Sequence, residues 1–328
     1  MVANAEPIIE SRPVPRVLRW LGMRVLFGVL TLFLVSVLIF LATEALPGDV
    51  ARIVLGTNAT PEKLAAVRVQ LGLDQTLVAQ YWHWLRGVLT GDLGTSLINH
   101  YPVGELLAGR LLNSLVLGVF ALVLILPLSL LTGMLAARLR DRFYDKTLLG
   151  SSMIANALPD FVIGTVLAAL FGTTLFHVLP PVALIPPGDL PWWHPADLVL
   201  PIAAMVIMGV AYLSRLVRVA FIDVLQSEYI QQAVLNGLSM RRILFRHALP
   251  NALGPITPAA SLVAAYSLAG LIVVENVFSY PGIGTALVDA VGNHDLPIVQ
   301  AIVLFMAAAF YVLNTLADVL ANRTRRRR

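Results

Sequence analysis

The sequence predicts an all-α membrane protein that crosses a bilayer six times. The chain of 328 residues is 58% hydrophobic and only 13% charged, with mean hydropathy +0.81; a soluble globule carries roughly 25% charged residues. Six runs reach the length of about 20 apolar residues that a helix needs to cross the hydrocarbon core. Lys and Arg are missing from the short connections 176–197 and 275–297, while the long 44–110, which holds Arg52, Lys63, Arg68, Arg86 and Arg110, is exempt by its length, and this bias orients the spans.

The chain opens on an arm, 1–24, with Arg12, Arg16, Arg19 and Arg24. The first apolar run, 25–43, contains no charge. It exceeds the roughly 7–15 apolar residues of a secretory signal and no cleavage site follows it, so it is expected to stay as an anchor. The connection 44–110 is too long to be structureless. Thr60 as N-cap, with Pro61 and Glu62 in the first turn, marks a helix start. Leu64 to Leu71 keep helical apolar spacing, and Gly72 ends it. Gln80-Tyr-Trp-His-Trp-Leu85 is suited to the bilayer interface. A small external cap of short helices is expected over 44–110.

The remaining runs are 111–137, 147–175, 198–214, 253–274 and 298–316. Pro127, Pro159 and Pro258 fall inside three of them. Membrane helices tolerate this because neighbouring groups re-satisfy the freed carbonyls. Basic residues gather in 1–24, 138–146, 215–246 and 323–328, while the short connections 176–197 and 275–297 hold no Lys or Arg. Both termini and the coupling segment 220–252 are therefore expected in the cytoplasm, with 44–110 outside. A permease domain, 25–321, then lies between the arm and a basic tail, 322–328.

Several chemistries are excluded. With no cysteine there is no disulfide, zinc–thiolate or cysteine nucleophile. The only lysines, Lys63 and Lys146, do not follow a glycine, so no phosphate-cradling P-loop exists. The histidines are scattered and no H-E-x-x-H occurs. No catalytic, cofactor-binding or metal-binding residue is expected, and no nucleic-acid partner.

Ionisable residues at spans are few. Glu275 and Asp318 read as interfacial and solvated. Asp160 follows Pro159 in an Ala157-Leu-Pro-Asp160 break that exposes carbonyls in mid-span, which makes Pro159 and Asp160 candidates for a translocation path. An ion-coupled secondary transporter is the alternative reading, although such a carrier usually buries more charge. An assembly subunit of a membrane complex would explain the spans alone.

Between the fourth and fifth runs lies a polar, partly basic segment, from Glu228-Tyr-Ile-Gln-Gln-Ala-Val-Leu-Asn-Gly237 to His247-Ala-Leu-Pro250. It reads as a short helix stopped by glycine. Tyr229, Ala233 and Gly237 are spaced i, i+4, i+8 and would share a stripe. Small residues there allow a partner's backbone close, and Gly237 can take a left-handed stop. Arg241, Arg242 and Arg246 can pair with carboxylates or lipid phosphates. On residues alone, this is either a lever for a soluble partner or an ordinary interfacial helix with a glycine cap.

The order of motifs resembles the permease subunit of ABC importers of the dipeptide/oligopeptide/nickel family along nearly the whole chain. Leu46-Pro-Gly-Asp49 is similar to that family's motif outside span one. Leu71-Gly-Leu-Asp74, Gln80-Tyr81, Trp84-Leu85 and Gly91-Asp-Leu-Gly-Thr-Ser96 resemble its first external loop, and Val274-Glu-Asn-Val-Phe-Ser-Tyr-Pro-Gly-Ile-Gly284 the segment after span five. Ala233, Gly237, Leu249 and Pro250 match the Ala, Gly and Leu-Pro of its coupling helix. Gln231 and Gln232 replace Glu and Ala, and Val234, Leu235 and Asn236 stand where basic residues often occur.

The resemblance implies the type I importer permease fold in a bacterial inner membrane. It implies alternating access driven by two ABC ATPase subunits or domains that carry the ATP and Mg. It also implies a homologous second permease and an external substrate-binding protein. Tyr229, Ala233, Gly237, Arg241, Arg242, Leu249 and Pro250 would couple to the ATPase. Gly91, Asp92, Gly94, Pro281, Gly282 and Gly284 would meet the binding protein. Peptides are the commonest substrates of the family, with nickel and haem as variations.

Overall fold

The computed structural model describes residues 16–45, 55, 60–70 and 74–325. Leu46-Pro-Gly-Asp49, Leu71 to Leu73 and the ends of the basic arm and tail lie outside them. Among the described residues the elements are helices: α1 Arg16–Glu44, α2 Pro61–Gln70, α3 Leu77–Thr90, α4 Val103–Arg138, α5 Phe143–Ala157 and α6 Asp160–Leu167, the last continued by a π-helical stretch to Thr174. Then follow α7 Pro195–Leu225, α8 Glu228–Leu235, α9 Met240–Val277, α10 Ile283–Gly292 and α11 Leu296–Arg325. Five helices are long and apolar enough to span, and α5 with α6 makes a sixth span bent by 105°.

The run 147–175 is interrupted at the Ala157-Leu-Pro-Asp160 break, as its sequence predicts, and the two parts are sharply bent rather than continuous. Leu158, before Pro159, is forced out of the helical region to φ −91, ψ 138. The chain turns there and restarts at Asp160. Pro127 and Pro258 do not break their helices. Around Pro127, Ile125 and Ser129 are fully buried against neighbours, whereas Leu158 and Pro159 are exposed. Packing holds the first helix together and leaves the other free to bend.

The helices also outrun the apolar runs. The fourth span continues to Leu225, so Arg215 and Arg218 are helical rather than in a connection. Arg218 makes a bidentate ion pair with buried Asp145 at the start of α5. Only 226–239 separates α7 from α9, and the predicted segment end at 240–252 is the start of α9.

The core lies along α7, which packs against α4, α5 and α9. Small residues permit this closeness: a Cβ at Gly133 would stand 2.5 Å from the Ser214 carbonyl oxygen. Helix α9 also packs on α11, and α11 on α1. The first and last spans are joined by an Arg24–Asp318 ion pair and a hydrogen bond from Tyr311 Oη to the Arg24 carbonyl. Helix α1 stays peripheral, its exposed side chains being Val25, Leu26, Val29, Phe33 and their like, as suits a lipid-facing helix.

Candidate functional site: an outer cap, a mid-bundle cavity and a short lever

At one end of the bundle, α2 begins as expected, with Thr60 Oγ1 accepting from Lys63 N at 3.4 Å. Helix α3 is capped by Thr76 and stopped by Gly91 at φ +86. The paired bonds Gly91 N to Val88 O and Asp92 N to Gly87 O close its last turn. Tyr81 and Trp84 pack on Phe40 of α1, and Tyr81 Oη meets Ser36 Oγ at 2.8 Å. Asp92 Oδ1 then accepts from Gly94 N at 2.9 Å, which tightens the turn into α4.

Two buried carboxylates hold this end. Asp295, 2% exposed, accepts from Ser96 Oγ at 2.5 Å and Leu97 N at 3.2 Å, tying the loop after α3 to the start of α11. Glu275 is fully buried, which corrects its expected solvated position. Its oxygens accept from Ser114 Oγ of α4 at 2.5 Å and from Gly284 N of α10 at 2.6 Å. Ser114 Oγ in turn accepts from Ile283 N at 2.8 Å. The carboxylate and the Ser114 hydroxyl thus satisfy one otherwise unpaired amide each at the start of α10, and Glu275 joins α4, α9 and α10.

This arrangement explains the glycines of 281–284. A Cβ at Gly282 would lie 2.2 Å from the Glu275 carboxylate, and one at Gly284 2.6 Å from Ile272 Cα. Both are buried, so the structure sets them inside the joint rather than on a face open to a partner. Gly91, Asp92 and Pro281 remain at least partly exposed. The two predicted docking pieces meet the same helix. Gly94 O accepts from Val103 N and Pro281 O from Asn113 Nδ2, about 15 Å apart along α4.

In mid-bundle, the break between α5 and α6 opens onto a cavity of about 170 Å³ shared with α7 and α9. Asp160 lines it with Asn156, Met205, Met208, Tyr212 and Tyr266. Pro159 shapes the turn by fixing φ at −62.

On the connection between α7 and α9, α8 starts after Ser227 and ends in a closed glycine stop. Gly237 has φ +76, its N–H bonds Val234 O, and Leu238 N bonds Ala233 O. The left-handed glycine is as expected, but the stripe is not. Helix α8 ends before Gly237, which therefore shares no face with it. Ala233 is 7% exposed and packs with Ile230 into the core beside Ile243, Leu244 and Ala248. The small residue lets this chain's own π-helical stretch, 243–248, come close, not a partner.

Tyr229 Oη accepts from Asn251 Nδ2 at 2.9 Å, which brings the start of α8 onto the Leu249-Pro250 region as the motif order suggests. Arg241, Arg242 and Pro250 are exposed and Leu249 is half-buried against the core. The face that α8 turns outward carries Gln231, Val234 and Leu235, with Leu235 80% exposed. Sequence reasoning passed over Val234 and Leu235. Their signal was an i, i+3 pair of core residues, Ile230 and Ala233, which puts Leu235 at i+5 opposite that pair and Val234 at i+4 on the edge of the outward face.

A bent-span helical bundle, an outer cap locked by buried carboxylates and a short amphipathic helix packed on the bundle with one apolar face left exposed define a polytopic membrane permease. The chain belongs to the family described as binding-protein-dependent transport system inner membrane component, matched over residues 129–328, with that family's N-terminal part matched over 17–117. It is 36% identical over 303 residues to the glutathione transport system permease protein GsiC of Salmonella choleraesuis, covering 92% of this chain and 96% of that one. To the GsiC protein of Escherichia coli strain K12 it is 35% identical with the same coverage. The chain is thus a multi-pass bacterial inner-membrane permease subunit of an ABC importer. It is not itself an enzyme, and ATP is hydrolysed in separate subunits.

Proposed function

We propose that this permease forms half of a translocation pathway for di- or oligopeptides. The support is the resemblance of the whole chain to glutathione permeases, glutathione being a small peptide, together with a cavity of mixed polar and apolar lining at the break of the third span. A homologous permease supplies the other half. Residues 1–24 and 322–328 are cytoplasmic arms around the permease domain, and the cap over 44–110 is external.

The observation that carries the mechanism is the outward face of α8. Val234 and Leu235 are exposed apolar side chains on a helix that Ile230, Ala233 and Tyr229 fasten to α9. Two ABC ATPase subunits, with their ATP and Mg, grip this face, and Arg241, Arg242, Leu249 and Pro250 flank it. Closure of the ATPases pushes α8, and its fastening to α9 passes the movement into the bundle. A device of this kind is a two-state element biased from both ends. At the other end, Gly91, Asp92, Gly94 and Pro281 shape the surface for a substrate-binding protein, with Gly282 and Gly284 as internal supports. Pro159 and Asp160 line the path.

The test is Leu235→Asp in the assembled transporter. A carboxylate forced into an apolar contact costs several kcal/mol if unpaired. ATPase recovered with the affinity-purified chain is expected to fall more than tenfold, and uptake of a labelled dipeptide with it, while the chain still inserts. Full recovery with full uptake would remove α8 as the lever.

A further inference from the structure

The cavity at the bent span contains a charge with no counterpart. The Asp160 carboxylate makes no hydrogen bond or ion pair with any other described residue, and no Lys, Arg or His lines the cavity. Asp160 lies in the first turn of α6, where a negative side chain complements the positive end of the helix dipole. Across the cavity the α9 backbone has no side chain at Gly270, and a Cβ built there would stand 3.0 Å from Asp160 Oδ2. The carboxylate therefore lies close to the α9 backbone in a place that only a glycine leaves free, at the edge of the cavity that both residues line.

The walls are suited to an organic cation. Tyr212 of α7 and Tyr266 of α9 bring two phenol rings to the same cavity, 38% and 62% exposed, and neither hydroxyl bonds another described residue. Aromatic faces attract an ammonium through their quadrupole, and the hydroxyls can accept its protons. Met205 and Met208 complete the wall with side chains that adapt to different shapes. An intramembrane acid normally has a partner. Here the described residues supply none, while the cavity supplies room for one.

We propose that Asp160, with Tyr212 and Tyr266, forms a subsite for a primary alkylammonium group of the transported molecule. In a peptide this is the α-ammonium or a lysine side chain. The proposal rests on the reading of this cavity as part of the translocation path. An α-ammonium is common to peptides of any side chain, so one such contact orients many substrates without selecting among them. The variable side chains then meet the methionine wall.

The absence of cysteine allows a direct test in the assembled transporter, with the other subunits made cysteine-free. Ser267 lines the cavity and Ser267→Cys is nearly isosteric. Its labelling rates with 2-aminoethyl and with 2-sulfonatoethyl methanethiosulfonate report the charge that Asp160 imposes. The cationic reagent is expected to react at least about tenfold faster relative to its rate with free thiol, and added Asp160→Asn to abolish the preference. Gly270→Ala should weaken it by crowding the carboxylate. Protection then identifies the group. Ala-Ala should slow labelling and N-acetyl-Ala-Ala should not. Slowing by N-acetyl-Ala-Lys would assign the site to side-chain ammonium as well, and its failure would confine the site to the α-ammonium.

No labelling by either reagent in the resting or the ATP-driven transporter would overturn the path reading itself. Labelling without charge preference, unchanged by Asp160→Asn, would leave the path and overturn the ammonium subsite, as it would if a cation of the second permease already neutralises Asp160. Equal protection by free and acetylated Ala-Ala would overturn it too.

Discussion

Glu275 shows how one side chain holds three helices. Its acceptors serve the Ser114 hydroxyl and the Gly284 amide in a site sealed from solvent. Glu275→Ala removes both acceptors at once, and each buried donor left unpaired costs about 1–3 kcal/mol. Detergent-purified Glu275→Ala is expected to melt well below the native chain, and Glu275→Gln, which keeps one acceptor, in between. Equal melting temperatures would show that water or lipid replaces the carboxylate. Gly237 presents the opposite case. A Cβ there meets nothing within 4 Å of this chain, so Gly237→Asp costs only the left-handed backbone strain, roughly 1 kcal/mol. Normal yield with a several-fold loss of co-purified ATPase is expected, because the carboxylate is desolvated only when the partner docks. Gly237→Asn, which tolerates the left-handed region, separates charge from bulk: if it loses the ATPase equally, the presence of a side chain and not its charge is the cause.

Among elements, α8 divides what was legible from what was not. Its start, its length and its glycine stop follow from local rules, because caps and left-handed stops are set by neighbours in sequence. Which face it buries does not. The motif spacing put Tyr229, Ala233 and Gly237 on one stripe, yet Ala233 packs inward because 243–248 returns over it. Ala233→Trp is therefore expected to disrupt the chain itself. It should expose 230–248 to limited proteolysis in detergent even without ATPase, whereas Leu235→Asp leaves the proteolytic pattern unchanged. A native pattern for Ala233→Trp would return Ala233 to the partner face. The same limit explains the third span. The sequence marks a break at Pro159, but the size of the bend is a matter of packing, which keeps the helix around Pro127 intact beside buried Ile125 and Ser129. Glu275 was misplaced for a related reason: its position near a span end suggests solvent, and only the return of α10 over it removes that solvent. The apolar lengths needed no such information, since a bilayer imposes them on each helix separately.

At the scale of the molecule, the connectivity separates two ends. Six crossings put the α3 cap and the Pro281 turn at one end and α8 at the other, because an odd number of spans lies between the connection after α1 and the one after α7. Arginines then decide which end faces the cytoplasm. The connections 176–197 and 275–297 have none, whereas α8 is followed by Arg241, Arg242 and Arg246. The positive-inside rule predicts α8 on the cytoplasmic side and the cap outside, the arrangement in which ATP-hydrolysing subunits would reach the exposed Leu235. Leu89 on α3 is 78% exposed and Ser239 lies exposed after α8, so each can be replaced by cysteine in a chain that has none. In intact spheroplasts a membrane-impermeant maleimide is expected to label Leu89→Cys and to leave Ser239→Cys untouched until the membrane is permeabilised. The reverse pattern would invert the protein and place α8 out of reach of ATP. Labelling of both sites in sealed cells would mean an even number of crossings between them, and the bent pair α5–α6 would then be a re-entrant hairpin rather than a span.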